Sequence, residues 1–420
     1  MDAPAMSSAG GSGFEGTTST VTPLRPPRER LLSLDVFRGL TVAAMLLVND
    51  PGSWSAIFPP LGHAPWHGWT PTDLIFPFFL FIVGITTHLS LSARRARGDD
   101  DRAIVRQILR RGAIIYLLGF LMALFPFYQW GPIQGMPDAS VWDRIVHRLE
   151  HVRILGVLAR IAIVYVITAL LTLRTDLKQQ VIIVAVLLFG YWIAMTVLPV
   201  PGEGTIGALL LHDKSRNLAA YLDRLILGTN HIWSGSVTYD PEGVLSTIPA
   251  IGTAMLGVIA GRWIALSNRP LIERIAGLFA AGALVMVLGS MWNWVFPINK
   301  NLWTSSYVLF TAGMAALVLA TVMWLVEHYN VRWWTKPFVI FGVNPIVAFV
   351  GSGVMARLIY TLWKVDYEGK SQSIQSVIYQ ALFLSWLPPR VASLGFAILF
   401  VLFWLGILTV MYRRNIILKV

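Results

Sequence analysis

Long apolar stretches separated by short polar segments that carry most of the arginines dominate this chain. Crossing the hydrocarbon core of a bilayer takes about 20 mostly apolar residues in helical form. Runs of that kind fall at 31–49, 72–92, 106–127, 154–173, 180–198, 244–265, 275–296, 303–326, 337–362 and 391–412. They predict an all-α polytopic membrane protein with about ten transmembrane helices, since an isolated helix satisfies its own backbone in lipid. The apolar stretch 374–387 is too short to span and ends at Pro388-Pro389, which predicts an interfacial or re-entrant helix. Residues 1–30, rich in Gly, Ser, Thr and Pro, predict a disordered cytoplasmic tail. Residues 31–420 then form a single transmembrane domain with a long polar loop at 199–243, and no signal peptide or internal repeat is evident.

Composition agrees with this pattern. The chain is 55% hydrophobic and 13% charged, where soluble domains carry about 25% charge, so a water-facing surface cannot be built from it. The absence of cysteine excludes thiolate nucleophiles, thiolate metal sites and disulfides. A net charge of +11 would suggest nucleic acid in a soluble protein. Here the cations sit in alternate loops: Arg94 to Arg111, then Arg174 and Lys178, Arg262 to Arg274, Arg332 and Lys336, and Arg413 onward. The loop Asp50–Pro71 has no Lys or Arg. This alternation predicts both termini in the cytoplasm and Asp50–Pro71 on the outer side, with no nucleic-acid partner.

Ionisable groups inside spans are costly and point to function. In the first span Asp35, Arg38 and Asn49 share a helix face, spread over about 21 Å at 1.5 Å per residue. An Asp35–Arg38 ion pair that locks the helix explains two of them as well as a site does. The outer loop carries His63 and His67 around Trp66, and Asp73 opens the second span. A histidine with a carboxylate partner is the usual acid–base pair at neutral pH. The two histidines and the aspartate could hold zinc, but a Pro-containing stretch joins His63 to His67 and no further ligand is obvious, so no metal is expected. Arg153 and Arg160, seven residues apart, lie on one face of the fourth span, where they either form structural ion pairs or grip an anionic cofactor.

Taken in order, these segments resemble the heparan-α-glucosaminide N-acetyltransferases and their bacterial relatives. The resemblance runs through Leu34-Asp35-Val36-Phe37-Arg38-Gly39, Val48-Asn49, His63-Ala64-Pro65-Trp66-His67-Gly68 with Asp73 and Phe76-Pro77, and Arg153 to Leu158 with Arg160. It continues through Tyr239-Asp240-Pro241-Glu242-Gly243, Asn299-Lys300-Asn301-Leu302-Trp303, and Gly342 with Asn344. It implies that acetyl-CoA is the co-substrate on the cytoplasmic side and that the amine of an amino sugar is acetylated on the other. His63 matches the family's catalytic histidine, with Asn49 and Asp73 beside it. Asp35, Arg38, Arg153, Arg160 and Asn344 are the expected cofactor-binding residues. Trp66, His67, Glu242, Asn299, Lys300, Asn301 and Trp303 are the expected acceptor contacts.

Two positions depart from the family pattern: His67 stands where Asn is common, and Ser352 where some relatives carry histidine. The large luminal domain and extra first helix of the animal enzyme have no counterpart here, so heparan sulfate is not the expected acceptor. A multi-pass enzyme of a bacterial inner membrane is expected, with a homodimer as a candidate assembly. The competing class is a sugar or nutrient transporter that shares the fold without the chemistry.

Overall fold

The computed structural model describes residues 31–418, so the segment read from sequence as a tail lies outside the described residues. Fourteen α-helices follow in chain order: α1 Leu32–Asn49, α2 Ile75–Ala96, α3 Asp101–Leu124, α4 Val141–Glu150, α5 Val157–Arg174, α6 Leu177–Thr196 and α7 Leu218–Leu227. Then come α8 Thr247–Ile264, α9 Leu271–Trp292, α10 Ser305–Met323, α11 Thr335–Val343, α12 Pro345–Arg357, α13 Ile374–Tyr379 and α14 Pro389–Arg413. Among the described residues 10 helices are long and apolar enough to cross a membrane. Nine of them match runs read from the sequence in order and position, and the ninth run differs.

Burial grades these spans from a central set to a peripheral one. The α8 span is 72% buried and those of α5 and α10 are 61% buried, whereas the α3, α9 and α12 spans are 17% buried. The first set forms the centre, and the second turns apolar side chains outward, as lipid contact requires. In lipid the close approach of backbones replaces the hydrophobic effect as the packing force. α2 and α8 show this directly: a Cβ at Gly257 would lie 2.1 Å from Phe81 O, and one at Gly84 would lie 1.9 Å from Ala254 O.

The ninth run is corrected by the structure. It reads as one span over 337–362, but it folds as α11 and a separate span, Pro345–Leu362. Pro345 has no amide proton and keeps Asn344 out of the helical region, at φ −124° and ψ 55°. The short apolar stretch is a helix over Ile374–Leu384, preceded by a two-stranded hairpin of Lys364–Tyr367 with Lys370–Ser373. Periodicity had not predicted the hairpin or the two ten-residue helices α4 and α7.

Candidate active site

The loop after α1 returns to the second span through a short 3-10 turn, Pro71–Leu74. Thr70 and Asp73 form a reciprocal capping box there. That box fixes Asp73, which is 1% exposed. Its Oδ2 accepts from the amides of Ala64 and Thr70, each at 3.0 Å, and Tyr307 donates its hydroxyl to the Asp73 carbonyl. Only Oδ1 is left for His63, whose Nδ1 lies 2.7 Å away. An ionised carboxylate accepts only, so Nδ1 carries a proton, and in the neutral ring the lone pair falls on Nε2. The His63 side chain is half-exposed and lines the cavity.

Lys300 completes the cluster. Its Nζ is 3.1 Å from His63 Nε2 and 3.6 Å from Asp73 Oδ1. Burial pushes its ammonium below the usual lysine range, against the pull of Asp73 and Glu242. Sequence reading had placed Lys300 among acceptor contacts, but the structure brings it against the histidine itself.

A second network shapes the wall opposite. Arg153 donates from Nε to Asp240 Oδ2 at 2.8 Å and from Nη2 to Asp240 and Glu242. Asp223, on α7, accepts from the amides of Asp240 at 3.1 Å and Val244 at 2.9 Å, and burial raises its pKa to about 6. A Cβ at Gly243 would lie 2.3 Å from both Asp223 carboxylate oxygens, so this turn needs glycine. Arg160 is fully buried and donates to the Gly243 carbonyl and Ser246, with its guanidinium over the Trp303 ring. The two arginines hold the segment Tyr239–Ser246 against α5. Burial raises Glu242, but the charges of Arg153, Arg160 and Lys300 outweigh it and leave the carboxyl below its usual range.

These groups border a cavity of about 640 Å³. Its floor is apolar and lies between spans: Thr41, Val42 and Met45 of α1, Phe76 and Phe79 of α2, Ile161 of α5, and Ile346 and Phe349 of α12. Its mouth carries His63, Asp73, Arg153, Glu242, Lys300 and Asn301, with Lys214, Trp233, Ser236 and Tyr239 from the long loop. Asn49 is exposed in its wall, between floor and mouth, and its side chain makes no hydrogen bond among the described residues. Periodicity gave no sign of Lys214 or Trp233, because the loop that brings them lies about 150 residues from His63 in sequence.

The other residues singled out from the sequence lie outside the lining. Asp35 and Arg38 pair at 2.7 Å on the first turns of α1. Asn344 Nδ2 donates to Ile416 O at 3.0 Å, and its Oδ1 accepts from Leu418 N at 3.0 Å, so it pins the last described residues. Trp66 donates to Leu211 O at 2.9 Å. His67 lies 3.3 Å from Asn299 Nδ2 and edge-on to the His212 ring, and burial, then His212, lowers its pKa. Asn299 Oδ1 accepts from Leu302 N, and Trp303 Nε1 donates to Thr253. Of these, Trp66, His67, Asn299 and Trp303 brace the mouth from behind.

Residues 30–271 match the family described as heparan-alpha-glucosaminide N-acetyltransferase, catalytic. Over 408 residues the chain is 30% identical to a mouse protein named heparan-alpha-glucosaminide N-acetyltransferase, covering 86% of this chain and 59% of that one. The human protein of the same name is 30% identical over 406 residues, covering 86% of this chain and 58% of the relative. The chain thus spans under two thirds of the length of these relatives. With more than half of its residues inside the match, and with the histidine–carboxylate pair inside it, the chain belongs to the heparan-alpha-glucosaminide N-acetyltransferase catalytic family.

Proposed function

We propose that this protein moves an acetyl group from acetyl-CoA on the cytoplasmic face of a bacterial inner membrane to the amine of an amino sugar on the other face, with His63 at the point of transfer. The observation that carries this reading is the cavity, which joins the middle of α1 and the first turns of α2, α5 and α12 to the His63–Asp73–Lys300 cluster. From Thr41 to Asn49 the α1 wall rises about 12 Å at 1.5 Å per residue, a depth that a pantetheine arm can occupy. An even number of spans is consistent with both ends of the described chain on one face, and the basic loops favour the cytoplasm for that face.

The chemistry follows from the proton inventory. The acceptor amine attacks the thioester carbonyl while Nε2 of His63 takes its proton, and Asp73 holds Nδ1–H and steadies the imidazolium that forms. The carbonyl oxygen gains negative charge in that step, and the Asn49 amide and the Lys300 ammonium are the donors beside it. Collapse breaks the carbon–sulfur bond, and the departing thiolate takes the proton from His63. Glu242 and Asn301 accept from and donate to the sugar hydroxyls, while Arg153 and Arg160 position the loop that carries Glu242. Asp35, Arg38 and Asn344 lie toward the side from which acetyl-CoA enters.

Transfer is direct in this scheme, because an acetyl-imidazole open to the outer solvent would hydrolyse. Purified protein in nanodiscs, given radiolabelled acetyl-CoA and glucosamine, should label the amine and release CoA only when acceptor is present. His63→Ala should lower turnover roughly 100- to 10,000-fold. Near-normal turnover in His63→Ala, or sugar flux without acetylation in proteoliposomes, would sink the reading. A stoichiometric CoA burst without acceptor would replace direct attack by an acetyl-enzyme.

A further inference from the structure

The end of α3 carries more positive charge than the fold accounts for. The last carbonyls of a helix together hold about half a negative charge. Two guanidiniums converge on them. Arg148, on α4, donates from Nε to Leu124 O at 3.2 Å, and from Nη2 to Ala123 O and, at 3.3 Å, to Phe125 O. Arg357, in the last turn of α12, donates from Nη1 to the same Phe125 O at 3.3 Å. Neither has a carboxylate partner among the described residues, and the charge nearest Arg357 is Arg148 itself. One guanidinium would offset the helix end. Two leave roughly one and a half positive charges in a half-buried place, which is costly without a counter-ion. Arg148 Nη1 and Arg357 Nε and Nη2 make no hydrogen bond among the described residues, so donors remain for a ligand.

The surroundings identify the anion. α2 leaves the His63 side of the membrane and α3 returns to it, so this pair sits on the face that holds the site. On the arc of α4 that borders Arg148, Val141 and Trp142 are 72% and 69% exposed, and Leu149 is exposed as well. Phe127 and Trp130 before α4, and Leu117 and Leu121 on α3, are exposed as well. Together they continue the lipid-facing side of α3. A short helix with an outward apolar face, a tryptophan and flanking arginines lies in the membrane interface, at the level of lipid phosphates.

We propose that Arg148 and Arg357 bind the phosphate of a phospholipid headgroup in the leaflet on the His63 side, with α4 lying along that leaflet. The forked guanidinium donors match phosphate oxygens in geometry as well as charge. Such a lipid would fix α4 and, three residues beyond it, Arg153 at the cavity mouth.

Native mass spectrometry of the full chain in detergent, titrated with phosphatidylglycerol, tests this. The protein with Arg148→Gln and Arg357→Gln should hold one lipid fewer, or hold it about 10- to 100-fold more weakly. The corresponding double lysine protein keeps the charge and should retain most of the binding. Because Arg148 also caps α3, Arg357→Gln alone serves as the second variant, with its melting temperature in lipid-free detergent as the check on folding. Unchanged lipid binding in folded Gln variants would leave the arginines as helix caps and overturn the proposal. Binding of inorganic phosphate without binding of the lipid would overturn the lipid assignment. Neither outcome depends on acetyl transfer, so failure here is separable from failure of the proposed function.

Discussion

Asp73→Asn is the sharpest test of the proposed chemistry, because the hydrogen bonds around position 73 dictate what an amide must do there. Two backbone amides, those of Ala64 and Thr70, point at Oδ2 from 3.0 Å. Both are donors, so the asparagine must place its oxygen there. Reversing the amide would bury two unsatisfied N–H groups against a third and fourth, at about 1–3 kcal/mol each. The NH₂ group therefore faces His63 Nδ1, which sits 2.7 Å from Oδ1 in the native chain. A donor at that point forces Nδ1 to become the acceptor and moves the ring proton to Nε2. The nitrogen that faces the cavity then has no lone pair to receive the amine's proton. A trapped tautomer of this kind lowers turnover by roughly 10⁴-fold, about 5.5 kcal/mol in the barrier. The shape of the site is unchanged, so KM for acetyl-CoA and the melting temperature should stay close to those of the native protein. Steady-state acetylation in nanodiscs across pH 6–9 reads both, and the loss should persist across that range. A folded Asp73→Asn protein that keeps a tenth of native turnover would refute the base assignment.

Two further expectations follow from groups beside the pair. Lys300→Met removes the cation 3.1 Å from His63 Nε2 and should lower kcat roughly 100- to 1,000-fold, with Lys300→Arg partly active. If only KM for the acceptor rises, Lys300 is a binding residue and not a stabiliser of the oxyanion. Asp50 is buried just past α1, and burial raises its pKa to about 7. The folded protein thus binds a proton that the unfolded chain has lost, and stability falls as pH rises from about 4 to about 7. The full effect is about 4 kcal/mol. Asp50→Asn should raise the melting temperature at pH 8 and leave it unchanged at pH 4, and an equal shift at both values would count against the burial of a charge.

The sequence by itself determined the class of fold and the side of the membrane on which each loop is expected. Runs of 20 apolar residues have few alternatives to a spanning helix, because lipid offers no partner for an open backbone. The pairing of His63 with Asp73 was also legible, since the two stand ten residues apart in a motif that resembles the family's, and the structure adds the capping box that holds Asp73. The break at Asn344 needed more than hydropathy, because Pro345 interrupts the helix without interrupting the apolar run.

What only the tertiary structure decided is which charges meet. Lys300 is 237 residues from His63, and no local pattern says that its ammonium ends against the imidazole and not in solvent. Arg153 and Arg160 were read from their spacing as one helix face, holding either structural ion pairs or an anionic cofactor, but α5 begins at Val157 and Arg153 precedes it in non-helical chain. Their partners are the chain's own: the carboxylates of Asp240 and Glu242 for Arg153, and the Gly243 carbonyl and Ser246 hydroxyl for Arg160. A helical wheel fixes the direction of a side chain, but the identity of the group it meets is set by packing between spans distant in sequence. The cost of leaving a buried charge alone then ensures that some partner is found.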